Sequence, residues 1–340
     1  MTVLIITHSS DNECIDRVAA AIRGMGGRAF RFNTDLFPQG ARLALASGPA
    51  AGRSTLRTPE GELDLGGVTA VWYRRVAYGS GLPGSMDPQL RSASAQEAKQ
   101  TVEGLLASLR VPQVDPLPAV RFASNKQVQL ELAREVGLDT PRTLTTNDAG
   151  AARAFAAACP GGVIAKMLSS FAVYRDGEEH VVFTNALRPE DLEDMRGLEL
   201  CPMTFQEKIP KARELRVTVV GERVFAASID SQAAEGAEID WRRRGLELID
   251  AWREDALPPD VAAGVLRLMD RLGLNYGALD ILRTPDGRHV FLEVNPVGEF
   301  FWLERAPGLP ISGALAEVLL GKAPRRDTWR AFLHGPPARG

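Results

Sequence analysis

The stretch that decides the fold is Gly277-Ala-Leu-Asp-Ile-Leu-Arg-Thr-Pro-Asp-Gly-Arg-His-Val-Phe-Leu-Glu-Val-Asn-Pro296. Two largely apolar runs flank its centre, Thr284-Pro285-Asp286-Gly287, a turn sequence with proline second and glycine fourth. The pattern predicts an antiparallel hairpin with Arg283 opposite Arg288, and this pair fixes the register of all the others.

The predicted register brings oxygen-bearing side chains together on one face of the hairpin. Asp280 comes to lie opposite Phe291, and Ala278 opposite Glu293, so the two acids are diagonal neighbours about 7–8 Å apart. Asn295 is two residues beyond Glu293 and shares its face. The other face receives apolar side chains, namely Leu279, Ile281, Leu292 and Val294.

Two carboxylates and an amide oxygen at this range form a hard oxygen site, which suits Mg²⁺. The alternative is an ordinary hairpin with a solvated polar face. That alternative predicts mixed charges in no particular order, whereas the ligands here come in the order Asp280, Glu293 and Asn295. Pro296 then ends the strand.

The composition is that of an ordinary globular protein and argues against several classes. The chain has 340 residues, 45% hydrophobic and 24% charged, which suits two or three lobes. No apolar run approaches the roughly 20 residues that span a bilayer, and the N-terminus lacks a basic signal region. A net charge of -3 gives no support for nucleic-acid binding. Three widely spaced cysteines argue against a disulfide framework or a zinc site and favour a reducing cytoplasm.

Strands alternating with helices predict an α/β fold in several lobes. Residues 1–120 form an N-terminal α/β lobe with a largely parallel sheet. Residues 121–204 form a small α+β lid with a hairpin around Asp176-Gly177. Residues 205–325 form a C-terminal α+β lobe that contains the metal hairpin. Residues 326–340, rich in proline and arginine, are expected to be a loosely held tail.

The metal hairpin resembles that of a known family. The ending Leu292-Glu-Val-Asn-Pro296, preceded by Asp280, is similar to the metal motif of the ATP-grasp ligases, and further motifs match in order over residues 120–320. The resemblance implies the ATP-grasp fold, with ATP and Mg²⁺ as cofactors. It implies these nucleotide-binding positions: Lys126 and Lys166 for the phosphates, Gln206, Glu207, Lys208 and Ile209 for adenine, Glu214 for the ribose hydroxyls, and Arg216 for the phosphate or acyl phosphate.

The two lysines also have plainer interpretations. Lys126 at a helix start could be a solvated side chain. Lys166 interrupts the apolar run 163–168, so it must face solvent or an anion, because unpaired burial of a charge is costly. The resemblance gives Lys166 and Arg216 catalytic roles.

Within the ATP-grasp ligases, the sequence is most similar to the microviridin-type macrocyclases, or graspetide synthetases. The phrases that carry this similarity are Val71-Trp-Tyr-Arg-Arg75, Lys166-Met-Leu-Ser-Ser-Phe171, Cys201-Pro-Met-Thr-Phe-Gln-Glu-Lys-Ile-Pro210 and Ala227-Ser-Ile-Asp-Ser-Gln232. Such enzymes join Asp or Glu side chains of a ribosomal precursor peptide to Thr, Ser or Lys side chains. The resemblance implies a precursor with a leader and an acidic, Thr-rich core, and a homodimeric enzyme. One departure, Ser169-Ser170 in place of a glycine-rich phosphate loop, weakens an analogy to small-molecule ligases more than this one.

Two further sites are predicted to contact the substrate. Arg74 and Arg75 follow a predicted strand, so they would line the cleft at the carboxyl end of the sheet or, alternatively, face solvent there. The stretch 188–196 can begin a short helix with Pro189 in its first turn.

Four acids lie in that short helix: Glu190, Asp191, Glu193 and Asp194. Acids in a first helical turn complement the helix dipole, which explains Glu190 and Asp191 well and Asp194 poorly. The resemblance implies instead that the helix holds the leader peptide. Asp191 or a neighbour would then pair with a basic residue of the leader.

The activity that the resemblance implies has two steps. A peptide carboxylate attacks the γ-phosphate of ATP to give an acyl phosphate and ADP, and a hydroxyl or amine then attacks the acyl carbon and expels phosphate. Lys126, Lys166 and Arg216 would offset charge on the transferred group. Two alternatives stay open, a glutathione-synthetase-like ligase of small molecules and a nucleotide-binding regulator without turnover. The metal triad argues against the regulator, and the product can be an ester or an amide.

Overall fold

The computed structural model of the chain describes residues 1–49, 52–168, 172–175, 178–181, 184–231 and 248–326, and its N-terminal lobe contains a parallel sheet. The strands of this lobe are β1 (Thr2–Thr7), β2 (Arg28–Asn33), β3 (Arg42–Ala44), β4 (Thr55–Thr58), β5 (Gly61–Asp64), β6 (Ala70–Tyr73) and β7 (Gln113–Val114). The parallel sheet has the order β2-β1-β6-β7, and β3, β4 and β5 form a separate antiparallel sheet. Five consecutive residues of β1 are buried, as expected for a strand covered on both faces.

Two helices cover the opposite faces of the parallel sheet. Helix α1 (Cys14–Gly24) buries an apolar stripe in the same core cluster as Val3. Helix α2 (Pro88–Ser108) packs in the cluster that contains Leu4, the next residue of β1. Neighbouring residues of a strand point to opposite faces, so the two helices sandwich the sheet. The predicted α/β lobe with a largely parallel sheet is confirmed.

The central region contains the lid. Its elements in chain order are α3 (Leu117–Ala123), α4 (Lys126–Glu135), β8 (Thr143–Thr146), α5 (Ala149–Ala157), β9 (Val163–Lys166), β10 (Ala172–Arg175), β11 (Glu178–Val181), β12 (Asn185–Ala186), α6 (Pro189–Glu193) and β13 (Met203–Glu207). One antiparallel sheet has the order β12-β9-β13-β8, and β10 and β11 form the predicted hairpin. The turn Asp176-Gly177 and the loop Ser169-Ser170 lie outside the described residues.

Strand β13 runs across the boundary predicted at residue 205. It pairs with β8 and β9, for example Phe205 with Leu144 and with Ala165. Residues 205–207 therefore belong to the lid sheet and not to the C-terminal sheet.

The C-terminal lobe is a five-stranded antiparallel sheet with helices. Its elements are β14 (Arg213–Val220), β15 (Arg223–Ile229), β16 (Arg253–Asp255), α7 (Pro259–Leu272), β17 (Tyr276–Arg283), β18 (His289–Asn295), α8 (Phe301–Arg305) and α9 (Ile311–Leu319). The strand order is β16-β15-β14-β17-β18. Helices α4 and α7 share a buried cluster with one face of this sheet, in which Leu132, Val265 and Leu279 lie.

The register of the β17–β18 hairpin differs from the predicted one. The turn closes with the Thr284 N–H donating to the Arg288 carbonyl at 2.9 Å, so Arg283 pairs with His289 and not with Arg288. A bulge then follows between Asp280 and Ile281. Beyond the bulge, Asp280 pairs directly with Glu293 and is not its diagonal neighbour.

Buried contacts join the N-terminal lobe to the C-terminal lobe, and two of them involve a pair of helices and a carboxylate. Helix α1 packs on α9 in a shared core cluster. The buried carboxylate of Asp115, one residue after β7, accepts the N–H groups of Asn275 at 2.8 Å and of Tyr276 at 2.9 Å. Among the described residues, no helix is long and apolar enough to cross a membrane.

Candidate active site

The β17–β18 hairpin brings the three predicted metal ligands together. Asp280 lies directly opposite Glu293, and Asn295 lies opposite Ala278, two residues from Asp280, so the three side chains share a face. The bulge corrects the prediction for two other residues. Phe291 packs in the core and not opposite Asp280, and Leu292, predicted to face the core, is the extra unpaired residue and is only half-buried.

Each carboxylate of the triad contacts a cation. Lys126 Nζ lies 2.6 Å from Glu293 Oε2, and Arg216 Nη1 donates to Asp280 Oδ1 at 2.8 Å. Asn295 Oδ1 accepts the N–H of Val297 at 3.0 Å. The two acids and two bases together carry no net charge.

The donor set fits Mg²⁺. Two carboxylates and an amide oxygen are hard ligands, and Mg²⁺ takes few protein ligands and keeps water and phosphate oxygens for the rest. No three His, Cys, Asp or Glu side chains form a metal cluster in the described part of the chain. The triad does not belong to that class of site, because its third ligand, Asn295, is an amide.

Helix α4 holds Lys126 against the hairpin through a glutamine that the sequence analysis missed. Asn125 caps the helix by accepting the N–H groups of residues 127 and 128. The buried Gln129 then bonds both backbone groups of Val294, donating to its carbonyl at 2.8 Å and accepting its N–H at 2.9 Å. Lys126 and Glu293 are therefore fixed on neighbouring elements. The signal in the sequence was the position of Gln129, one turn before Leu132 on the apolar side of the helix.

The lid contributes Lys166 and Gln206, which lie on adjacent strands. Lys166 Nζ donates to Gln206 Oε1 at 3.2 Å, and Gln206 Nε2 donates to Thr143 Oγ1 at 2.9 Å. Gln206 is buried, so its side chain orients Lys166.

The hinge after β13 has most of its amides engaged. Glu207 donates its N–H to the Arg142 carbonyl at 3.0 Å, and Lys208 donates to the Gly162 carbonyl at 2.9 Å. The N–H of Ile209 makes no hydrogen bond with any residue that the structure describes. That amide is a donor suited to an adenine ring.

Glu214 lies on β14, two residues before Arg216 and on the same face. Lys211 Nζ lies 2.6 Å from Glu214 Oε1, and both side chains are largely buried. Burial raises the pKa of Glu214, and the charge of Lys211 opposes that shift. Lys211 was not predicted from the sequence, although its place three residues before Glu214 was an available signal.

The two arginines predicted to contact the substrate differ in exposure. Arg74 is 1% exposed, and its Nη1 donates to the carbonyls of Val297 at 2.8 Å and Gly298 at 2.9 Å. A side chain this deeply buried does not present its guanidinium to a bound peptide. Arg75 is half-exposed and forms an ion pair with Glu299, a residue that the sequence analysis did not single out.

The predicted short helix forms as α6, with Pro189 in its first turn. Asp191 Oδ2 accepts the Arg188 N–H at 2.9 Å, and the Arg188 guanidinium also binds Asp191. Glu190 lies 3.9 Å from Arg188, and Asp194 pairs with Arg196 at 2.6 Å. Glu190, Glu193 and Asp194 are exposed, and Asp191 is partly exposed.

The geometry matches that of solved proteins over nearly the whole chain. The family described as the MvdD pre-ATP grasp domain matches residues 2–121. The macrocyclase MdnC from Microcystis aeruginosa, solved with precursor peptide MdnA, is 47% identical over 94% of this chain and 100% of that chain, with a TM-score of 0.86. A Chryseobacterium gregarium RiPP-associated ATP-grasp ligase, solved with ADP and a leader and core peptide, is 39% identical over 96% and 98%, with a TM-score of 0.90.

A third solved structure agrees with these two. The macrocyclase MdnB from Microcystis aeruginosa is 38% identical over 94% of this chain and 99% of that chain, with a TM-score of 0.78. None of the curated proteins matches the chain. The similarity extends through the N-terminal lobe, the lid and the metal hairpin alike, and the chain belongs to the ATP-grasp peptide ligases of the microviridin macrocyclase type.

Proposed function

We propose that this ligase activates Asp or Glu side-chain carboxylates of a ribosomally made precursor peptide as acyl phosphates. It then joins them to Thr or Ser side chains as esters, or to Lys side chains as amides, and so closes macrocycles. The observation that carries this proposal is the Asp280–Glu293 pair with Lys126 and Arg216 against it, in a chain 47% identical to a macrocyclase. The peptide complexes of the relatives favour this substrate over the small molecules that the sequence left open.

ATP and Mg²⁺ are the proposed cofactors. Asp280, Glu293 and Asn295 would hold the metal, which screens the charge of the phosphates when bound. The backbone of Gln206 to Ile209 would bind adenine, and Glu214 would bind the ribose hydroxyls. Support comes from the Ile209 amide and from the spacing of Glu214 and Arg216 on one strand face.

The chain's cations supply the electrostatic part of the reaction. An oxygen of the peptide carboxylate attacks the γ-phosphorus, and the bond to the β-phosphate oxygen breaks, which releases ADP. Lys126, Lys166 and Arg216 stabilise the negative charge of the transferred group. The peptide hydroxyl or amine then attacks the acyl carbon, loses its proton to solvent, and expels phosphate.

Two peptide contacts are proposed. Helix α6 would bind the leader, with Asp191 or a neighbour pairing with a basic leader residue. Arg75 would pair with a carboxylate of the acidic core in place of Glu299, and its half-exposed guanidinium supports this proposal. We also propose, from the family resemblance, a cytoplasmic homodimer; a monomeric mass in solution at micromolar concentration would refute the dimer.

The deciding experiment is mass spectrometry of the precursor. The candidate is a short reading frame beside the gene, rich in Thr and Glu. Incubation with enzyme, ATP and Mg²⁺ should remove one water per ring. Glu293→Gln should abolish ring formation and leave the circular dichroism spectrum unchanged, because it removes a metal ligand at a half-buried position. A folded Glu293→Gln variant that dehydrates the peptide at the wild-type rate would disprove the metal assignment.

A further inference from the structure

We propose that Arg74 is a positioning residue of the active site, which holds Asn295 and Arg216 in place through the loop 296–299. This inference rests on the proposed function, since it takes Asn295 as a metal ligand. It assigns Arg74 no contact with the peptide. The N-terminal lobe then completes the catalytic site of the C-terminal lobe.

Arg74 reaches from the end of β6 into the loop that follows β18. Its guanidinium is buried, and one nitrogen, Nη1, donates to the carbonyls of both Val297 and Gly298, at 2.8 and 2.9 Å. Hydrogen bonds from a charged donor are stronger than neutral ones. Two consecutive carbonyls of the loop are thereby turned towards the N-terminal lobe.

The same loop fixes the ligand oxygen of Asn295. Val297, whose carbonyl Arg74 holds, donates its own N–H to Asn295 Oδ1 at 3.0 Å. The orientation of Val297 therefore decides which way the Asn295 amide points. Groups that orient metal ligands in this manner contribute to metal affinity although they do not touch the metal.

The loop also packs tightly on Arg216. Arg216 Nη2 donates to the Glu299 carbonyl at 3.2 Å, and the Tyr276 hydroxyl donates to the Gly298 carbonyl at 2.6 Å. A Cβ atom on Gly298 would lie 2.5 Å from Ala278 Cβ and 2.9 Å from Arg216 Nη2. A side chain at position 298 therefore has no room unless the loop or Arg216 shifts.

An ion pair in the N-terminal lobe supports the buried guanidinium. Arg74 Nη2 lies 3.8 Å from Asp11 Oδ1, and Asp11 Oδ2 accepts the Thr7 hydroxyl at 2.6 Å. The guanidinium also lies 5.4 Å from the Trp72 ring centroid. Removing Arg74 alone would leave Asp11 as an unpaired buried acid, so the charges must be removed together.

The test uses two independent variants of the full chain. Arg74→Met combined with Asp11→Asn removes the hydrogen bonds from Arg74 to the loop without leaving a buried charge. Gly298→Ala displaces the loop and leaves Arg74 in place. Mn²⁺ binding is measured by electron paramagnetic resonance with a non-hydrolysable ATP analogue, and kcat and KM for the peptide are measured with Mg²⁺.

Both variants should weaken Mn²⁺ binding and lower kcat, each by about 10- to 100-fold, with the peptide KM changed less than about twofold. Arg28→Met is the control, because Arg28 also donates to a backbone carbonyl in the N-terminal lobe, that of Glu62, away from the site. Arg28→Met should leave the Mn²⁺ affinity, kcat and the peptide KM unchanged.

A raised peptide KM with wild-type Mn²⁺ affinity would overturn the proposal and assign Arg74 to the substrate. If the double variant is unfolded, Gly298→Ala decides alone, and wild-type Mn²⁺ affinity in that variant overturns the proposal. A wild-type enzyme that binds no Mn²⁺ with the nucleotide analogue would refute the metal site itself, which is a failure of the proposed function.

Discussion

The Lys126 ammonium can pair with either of two anions. In the structure it pairs with Glu293 at 2.6 Å, and the two side chains are 26% and 20% exposed. The proposed function places the same ammonium on a phosphate of ATP. Arg216 is fixed by more contacts than Lys126, since it donates hydrogen bonds to both Asp280 and the Glu299 carbonyl. Lys126 is therefore the cation that can exchange partners, and its departure leaves the triad with a net negative charge.

Lys126→Met should strengthen Mn²⁺ binding in the absence of nucleotide by about tenfold, because a neighbouring positive charge is removed from the metal site. The same variant should weaken ATP binding. Electron paramagnetic resonance and nucleotide titration measure the two effects. Lys126→Arg keeps the charge and should resemble the wild type in nucleotide-free Mn²⁺ binding. Lys322→Met controls for net charge, since Lys322 is exposed and bonds the Met25 carbonyl. Equal Mn²⁺ affinity in Lys126→Met and wild type would contradict this account.

Order and spacing, together with the family resemblance, predicted Asp280, Glu293, Lys126 and Arg216, which the structure brings into contact. Residues whose role depends on a distant partner were not predictable in this way. Gln129 acts through Val294, and Glu299 acts through Arg75. Both partnerships join segments far apart in the chain, and only the folded protein brings them together.

At the scale of elements, the β17–β18 hairpin shows why a wrong register still gave the right face. The turn shifts the pairing by one residue, since Arg283 meets His289. The bulge shifts it by one more, so that Asp280 meets Glu293. The pairing is therefore displaced by two residues in total, and side-chain direction in a strand repeats every two residues. The triad therefore keeps its common face, while Phe291, between the two shifts, changes side.

Helix α6 offers a test of the leader site. Hydrogen bonds from Arg188 lower the pKa of Asp191, and those from Arg196 lower the pKa of Asp194 to about 2, so both are ionised at neutral pH. Asp191→Lys should weaken leader binding far more than ATP binding, because it reverses the charge that meets a basic leader residue. Calorimetry with leader peptide and with nucleotide measures both.

Glu62→Lys is the matched control for Asp191→Lys, since Glu62 also pairs with an arginine on the surface. Charge reversal in the leader should partly restore binding to Asp191→Lys. Unchanged leader affinity after neutralising Glu190, Asp191, Glu193 and Asp194 together would rule out the site.

At the scale of the whole molecule, the α/β class and the succession of N-terminal lobe, lid and C-terminal lobe followed from sequence patterns. The domain boundary predicted at residue 205 does not coincide with a boundary between sheets. In the sequence, β13 resembles the first of the strands that follow it. Its partners β8 and β9 lie earlier in the chain. Long-range pairing decides such limits, and local sequence does not record it.

Asp115 makes stability depend on pH at the contact between lobes. Burial raises its pKa to about 7, although the N–H groups of Asn275 and Tyr276 oppose the shift. The usual pKa of an aspartate is about 3.9. Between these values the folded state holds a proton that the unfolded state releases, so the free energy of unfolding falls as pH rises towards 7.

Asp115→Asn should remove that contribution. Denaturant unfolding of wild type and variant at pH 5, 6 and 7.5 measures it. The wild type should lose stability relative to the variant as pH rises, whatever the offset from the altered hydrogen bonds. Parallel curves for the two proteins over this range would show that Asp115 keeps one protonation state.

The same carboxylate bears on how the chain is made. Asp115 leaves the ribosome 160 residues before its partner Asn275, and Arg74 leaves 223 residues before Val297. Domains generally fold in the order of synthesis, yet the nascent N-terminal lobe holds a carboxylate and a guanidinium whose backbone partners in the C-terminal lobe are not yet made. A chain truncated within the lid therefore lacks the groups that satisfy its own interior. The N-terminal lobe therefore gains its last buried hydrogen bonds only after the C-terminal lobe has been translated.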